Sequence, residues 1–472
     1  MSKLFFRPKD AYVGDFIPFY EDGEFKLFYL HGWRENYDDT KDIGWFLIST
    51  KNFLDFKELG ACKIQGGTGS VLKKDGIYHM FYCEFTENMQ TVCHAVSEDF
   101  EKWIKISEDS FGPEEAIYEN TDWRDPHVFW NEDTEEYWML IAARAKVLSN
   151  RKGCVGLCVS KDLKKWEAKA PIYAPNLHES AHECPDIFKL GDWWYLIYSG
   201  YTDKFATFYR MSKSSTGPWI TPEVDTFDGR AFYAAKSGTD GSNLYIFGWN
   251  PTKTNNMFGW NPPAYCGSDY NTWDWGGNLI VHQLVQQADG ILTVKVPDII
   301  DKKFNQQVPQ SFTPVIGPWS IDNNELEVSS MYSFSCALGG EMPKLCKLEG
   351  TFKYKPHTRA LGIVLRADEN VDKAYYFRLE PHRNRIVFRS HVMEYEEGGK
   401  TFPYEVELER PINLIPNKEY SFKIFIDDTI CEFYIDDKVA FSTRIYDIKE
   451  GKWGVFVSEG EAAFKELFLK IM

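Results

Sequence analysis

The stretch PDIFKLGDWWYLIYSGY, Pro185–Tyr201, runs as a short strand, turns at Leu-Gly-Asp, and returns as an aromatic-rich strand. Two strand-forming runs joined by a tight turn with Gly and Asp are the signature of a β-hairpin. Four other stretches read the same way: FIPFYEDGEFKLFYLHG from Phe16, SVLKKDGIYHMFYCEF from Ser70, PHVFWNEDTEEYWMLIAAR from Pro126 and AFYAAKSGTDGSNLYIFGW from Ala231. A second pattern follows four of the five hairpins: a strand, then Ser and Asp, then Trp a few residues later. TVCHAVSEDFEKW and GLCVSKDLKKW show it best, and ISTKNFLDF and RMSKSSTGPW are looser copies. Each unit therefore supplies about four strands at a period of roughly 50 to 60 residues, which predicts a propeller of five four-stranded blades. An ordinary β-sandwich is the alternative, and the ordered five-fold recurrence argues against it.

After about residue 300 the repeat stops. NQQVPQSFTPVIGPWS reads as a linker, and beyond it strands such as ALGIVLRAD, AYYFRLEP and EYSFKIFIDD alternate with frequent turns. The expected architecture is all-β: a five-bladed propeller over residues 1–300, a linker over 301–318 and a C-terminal β-sandwich over 319–472.

Bulk properties narrow the function. The chain has 472 residues, 43% hydrophobic and 26% charged, which is ordinary folded composition. A net charge of −17 makes nucleic acid a poor partner. No apolar run is long enough to predict a membrane span, and MSKLFFRPKD has no apolar signal core, so no membrane association is expected. Ten scattered cysteines without metal-type spacing suit a reducing compartment, and a cytoplasmic location is expected. The aromatic fraction of 16% suits both buried strands and a sugar-binding cleft. No cofactor and no metal are expected.

The inner strands of a propeller meet at one mouth of its channel. The residues heading them here are Asp15, Ser70, Asp125, Glu183 and Phe232, so three distant acids are expected to converge. Glycoside cleavage needs two carboxyls, one donating a proton to the leaving oxygen and one attacking or activating water. Crowded carboxylates repel, which raises one pKa and suits a general acid. Any one of these acids taken alone reads as a solvated loop acid; their shared place in the repeat changes that. His178, His182, Glu183 and Cys184 also admit a metal reading, but Pro185 and the strand pattern argue against the helix it would need.

WRDP from Trp123 and ECPD from Glu183 resemble the second and third acidic motifs of glycoside hydrolase family 32, the β-fructosidases. WDWGGNLIVHQLVQQADGILTVKVP resembles the family's closing propeller segment, and YSFKIFIDDTICEFYIDDKVAFSTRIYD resembles its sandwich signature. The resemblance implies a retaining hydrolase acting on β-D-fructofuranosides or a closely related furanoside. Asp15 would be the nucleophile, Glu183 the acid and base, and Asp125 the third acid, with Arg124 holding the carboxylates. The partner would be an oligosaccharide or small fructoside, and the sandwich offers a surface for a homodimer. The first motif departs: the family shows Trp-Met-Asn-Asp-Pro-Asn-Gly, and this chain has Tyr12, Val13, Gly14, Asp15, Phe16, Ile17 and Pro18. The neighbours that shape the fructose pocket are therefore different. Trp33, Ser70 and His182 are further substrate-binding candidates, with His31, Arg34, Trp45, Glu179, Tyr265 and Trp273 behind them. A fructosyltransferase, a difructose-anhydride enzyme, a five-bladed arabinanase and a catalytically silent sugar-binding protein are the competing readings.

Overall fold

The computed structural model describes residues 4–33, 36–86, 89–202, 205–252, 274–322, 324–392 and 408–472. The five hairpins form, and each is the inner half of a blade. Blade one comprises Tyr12–Glu21, Glu24–Gly32, Gly44–Thr50 and Phe56–Ala61. Blade two comprises Gly67–Lys74, Ile77–Phe85, Gln90–Ser97 and Ile104–Lys105. Blade three runs from Tyr118–Asn131 out to Glu167–Tyr173. Blade four has Glu183–Leu190, Trp193–Gly200 and Ala206–Ser212, with bridges at Ile220 and Thr226 in place of a fourth strand. Blade five comprises Tyr233–Thr239, Leu244–Thr252, Asp274–Gln286 and Leu292–Lys295. All pairing within blades is antiparallel.

The recurring Ser-Asp pattern is a turn. Ser160 Oγ accepts the Leu163 N–H, and Asp162 accepts those of Lys164 and Lys165. Ser97 and Asp99 do the same for Phe100, Glu101 and Lys102. Phe100 and Leu163 sit at positive φ, 67° and 70°, where these short polar side chains stabilise the bend.

The ring closes without a shared blade. Val13 of blade one bridges Gly277 of blade five, and the N-terminal segment clips the seam: Leu279 N–H and Asn278 Nδ2 donate to the carbonyls of Phe6 and Phe5.

The C-terminal module has two arms. One runs Leu408–Pro411, Arg385–Val392, Lys373–Glu380 and Ala360–Ala367; the other runs Leu345–Tyr354, Glu419–Asp427, Ile430–Ile435 and Val439–Arg444. Lys452–Ile471, 20 residues long, pairs with the first arm through its first half and with the second through its second half. The arms pack face to face, with Phe377 5.9 Å or less in ring separation from Phe433 and Phe441. This is the expected sandwich.

The expected linker is not one. Within 301–318, Gln306–Val308 pairs with the last strand and Thr313–Ile316 pairs with Glu325–Glu341. Pro, Gln and Ser read as a loop locally, but partners distant in sequence recruit the segment as strands.

The two modules share a buried polar junction. Arg444, 1% exposed, donates to the carbonyls of Asn250 (2.8 Å) and Pro251 (3.1 Å) and to Asn278 Oδ1 (2.8 Å). Asp228 accepts the Ser442 N–H and hydroxyl, and His282 links it to the Tyr434 hydroxyl. Arg444→Met strands several blade-five acceptors in the dark. It is expected to lower stability by about 3 kcal/mol or more, read as a fall in the urea midpoint.

Candidate active site

Each inner strand carries a register shift at the same place. It falls between Gly14 and Ile17, Gly67 and Gly69, Arg124 and His127, Glu183 and Asp186, and Tyr233 and Lys236. In four blades the bulged residue has positive φ: Asp15 51°, Asp125 57°, Cys184 47° and Ala234 50°. A β-bulge of this kind twists the strand and re-aims the side chains beside it. Aspartate is among the few residues that enter the left-handed region readily, which suits positions 15 and 125. Asp15 and Asp125 are thus equivalent by repeat, and Glu183 comes one position earlier, level with Gly14, Arg124 and Tyr233. Of the expected head positions, Asp15, Ser70 and Asp125 lie inside their strands, Glu183 opens its strand and Phe232 precedes its strand. Phe232 is buried in the core, and the blade-two equivalent of the acids is Thr68, not Ser70.

The three acids meet. Arg124 donates from one guanidinium nitrogen to Glu183 Oε1 at 3.0 Å, its Nε lies 4.0 Å from Asp125 Oδ2, and it also pairs with Asp122. Tyr233 donates its hydroxyl to Glu183 Oε2 at 2.7 Å. Asp125 Oδ2 accepts the Cys184 N–H at 2.9 Å. Asp15 Oδ1 accepts the Trp249 indole N–H at 3.0 Å, and among the described residues Oδ2 takes no hydrogen bond.

The charges strain against one another. Burial, then the Asp125 charge, pushes the Asp15 carboxyl up to about 7; Glu183 adds to the push, while the Trp249 N–H and Lys236 oppose it. Burial also raises Glu183, with Asp125 adding and Arg124 opposing. The raised Glu183 carboxyl holds its proton more tightly than an ordinary glutamate, as a general acid must.

The other candidates divide. Ser70 is buried and its hydroxyl accepts the Val128 N–H at 2.9 Å, so it braces blade two to blade three. Trp45 is a similar brace, donating to the Gly67 carbonyl. His182 is buried with its ring against Tyr198 at 4.4 Å, and burial holds it neutral; it backs the Glu183 strand. Trp33 stacks on His31 at 4.2 Å and donates to the Asp42 carbonyl, which ties it to its own loop at the mouth end of blade one. Glu179 is exposed. Arg34, Tyr265 and Trp273 lie outside the described residues. Among the described residues no His, Cys, Asp and Glu cluster is arranged to hold a metal ion.

Tyr233, Trp249 and Trp275 were not among the sequence candidates. The Trp275 ring lies so close over Gly14 that a Cβ there would come 2.5 Å from it, and it covers Gly32 as well. Gly14 stands where the fructosidase motif has Asn, and the indole occupies that side chain's space. The sequence shows only the missing Asn; Trp275 lies in the segment that resembles the family's closing stretch, and its place over Gly14 is a matter of tertiary packing.

The sequence model described as the glycosyl hydrolases family 32 N-terminal domain matches residues 6–273. The chain belongs to glycoside hydrolase family 32. The family's C-terminal model matches residues 323–470. The hydrolase is 24% identical to a sucrose-6-phosphate hydrolase of Escherichia coli, over 79% of this chain and 71% of that one. It is 26% identical to a β-fructofuranosidase, insoluble isoenzyme 1, of Daucus carota, over 93% and 83%. A solved family 32 β-fructofuranosidase from Bombyx mori superposes with a TM-score of 0.70 at 18% identity, covering 100% of this chain and 94% of that one. The protein is a glycoside hydrolase.

Two outcomes test this geometry. A carboxyl raised by folding binds its proton more tightly in the folded state, so ionising it costs stability as pH rises from about 4 through about 7. Asp15→Asn removes that cost: unfolding should show a gain of up to about 4 kcal/mol at pH 8, shrinking towards pH 4. Gly14→Asn, which restores the family residue, should collide with Trp275 and abolish turnover; pairing it with Trp275→Ala should recover part of it, measured as kcat/KM.

Proposed function

We propose that the enzyme hydrolyses short β-D-fructofuranosides with retention, through a covalent fructosyl-enzyme on Asp15. The observation that carries this reading is the unequal commitment of the three acids. Glu183 is held at both oxygens, by Arg124 and Tyr233, and Asp125 at one, by the Cys184 N–H with the Arg124 guanidinium beside it; Asp15 has no ion pair among the described residues and, with one oxygen on the Trp249 N–H, keeps the other uncommitted. That oxygen is the attacking atom. Glu183 donates its proton to the leaving oxygen, the bond between it and the anomeric carbon breaks, and the Asp15 ester forms. Glu183 then takes a proton from water, which attacks the same carbon and releases Asp15.

Asp125 acts as the third anion. One of its oxygens is held by the Cys184 N–H, and the other is left for sugar hydroxyls. Positive charge develops at the anomeric carbon during the first step, and carboxylates already fixed around it stabilise that charge without reorganising. Arg124 supplies one positive charge shared among Asp122, Asp125 and Glu183, which lowers the repulsion between them without cancelling it. Names of relatives support the substrate class: one is a sucrose-6-phosphate hydrolase and another a β-fructofuranosidase. The altered first motif supports a pocket adapted to a fructoside whose remainder differs from theirs. A reducing, cytoplasmic setting is supported by the nine cysteines among the described residues, all buried and free.

Asp15→Asn should cut kcat on sucrose by a factor on the order of 10⁴ or more. Glu183→Gln should cost about 10²–10⁴-fold on sucrose. It should cost far less on p-nitrophenyl β-D-fructofuranoside, whose leaving group departs without a proton. Proton NMR of the first product should show the β anomer. Wild-type turnover in the Asp15→Asn protein, or an α product, ends the reading.

A further inference from the structure

Two of the donors that hold the acids come from one cross-strand pair. Tyr233 and Trp249 face each other across the first two strands of blade five. Their rings leave that pair in different directions: Tyr233 reaches Glu183 of blade four at 2.7 Å, and Trp249 reaches Asp15 of blade one at 3.0 Å. The two ring centroids stand 5.5 Å apart, with planes at 68°. Phe205, from blade four, touches both. It stacks on Tyr233 with centroids 3.9 Å apart and planes 17° from parallel, and it meets Trp249 edge-on at 6.3 Å. Phe205 directly precedes the third strand of its blade, at the mouth end, where Ala206 pairs with Gly200. Tyr233 and Trp249 are 4% and 1% exposed, whereas Phe205 is half-buried. It is the outermost of the three rings and shields the other two from water.

A phenol or indole donor serves a carboxylate only while its ring keeps one orientation. The backbone does not secure this at Tyr233: the strand register breaks directly after it, and Ala234 stands at φ 50°. Ring packing supplies the constraint. Stacked and edge-to-face contacts favour the separations seen here, and excluding water strengthens each donated bond. Other donors do not cover the loss. Arg124 is on the other Glu183 oxygen, and among the described residues Asp15 accepts from Trp249 alone. Asp125 and Lys236 also face the acids, and Cys184 and Tyr201 face Tyr233. Among the described residues none of these four hydrogen-bonds to the Asp15 or Glu183 carboxyl.

We infer that Phe205 is a positioning residue for both acids: its ring braces Tyr233 against Glu183 and Trp249 against Asp15. The inference rests on the reading of these two as acid/base and nucleophile. Phe205 acts through the two donors and is assigned no contact with the sugar. Each donor favours the ionised form of its acid, so loosening both raises both carboxyls. The ionised nucleophile sets the acid limb of the rate profile and the protonated acid sets the alkaline limb, so the whole profile moves to higher pH.

The measurement is the pH profile of kcat/KM on sucrose for Phe205→Ala, Phe205→Leu and Phe205→Tyr. In the alanine variant both limbs should move up together by about half a pH unit or more. Its kcat at the wild-type optimum should fall by about tenfold, with KM within about twofold. Leucine, which refills the volume without a flat face, should shift the limbs in the same direction; tyrosine, which keeps the flat ring, should restore them. An alanine variant that folds, by its thermal melt, and keeps the wild-type limbs overturns the inference; a rise in KM alone would make Phe205 a sugar contact instead. Should alanine not fold, the leucine variant decides on the same limbs, and failure of both to fold overturns the inference by assigning Phe205 to the packing of the ring. Wild-type turnover in Asp15→Asn or Glu183→Gln would instead remove the reading beneath. That result is read in different proteins from the limb shift, so the two failures stay distinct.

Discussion

Adjacent blades are joined near the mouth by polar contacts, and these run all the way round. Trp45 of blade one donates to Gly67 of blade two; Val128 of blade three donates to Ser70 of blade two; Cys184 of blade four donates to Asp125 of blade three; Tyr233 of blade five donates to Glu183 of blade four; Trp249 of blade five donates to Asp15 of blade one. Three of the five acceptors are the acids. The groups proposed to cleave the sugar are thus also the groups that hold the ring together at that end. Charged acceptors make stronger hydrogen bonds than neutral ones, so the arrangement is stable although the carboxylates repel. It also leaves little freedom: an acid shifted for chemistry would loosen a seam.

Much of the fold was legible because it rests on local chemistry. Gly and Asp at the hairpin turns, alternating apolar runs and the Ser-Asp turns recur five or four times, and repetition turns weak signals into a strong one. Asp125 and Glu183 were legible through the prolines that follow them, and Asp15 through its place in the repeat. The bulge was not legible. It is a property of pairing register, and neither Cys184 nor Ala234 resembles Asp15 as a residue type, although they share its backbone. Counting along the strand without the bulge put Ser70 and Phe232 where Thr68 and Ala234 belong. The false linker has a similar cause: Gln306–Val308 finds its partner more than 160 residues away, which no local pattern announces.

The sandwich contributes by rigidity. Its contacts fall on Asn250, Pro251 and Asn278, residues of the two blade-five strands that lie behind Trp249 and Trp275. Those indoles in turn back Asp15. A fully buried chain of polar groups, Asp228 to His282 to Tyr434 to Glu432, runs through the same junction. Polar groups buried that deeply fix one docking geometry, because any other leaves them unsatisfied. The C-terminal module therefore sets the tryptophan wall without touching the acids.

The left-handed bulge in four blades has an evolutionary reading. It is a socket that the backbone repeats and that sequence fills differently: carboxylate in blades one and three, thiol in blade four, methyl in blade five. A duplicated ancestor with one kind of residue in every socket would have had a symmetric mouth with no division of labour. Divergence needed only side-chain replacement at fixed positions, with the fold left alone. The methyl of Ala234 is buried in the propeller's apolar core beside Tyr233, so in blade five the same backbone socket serves packing where its counterparts in blades one and three serve charge.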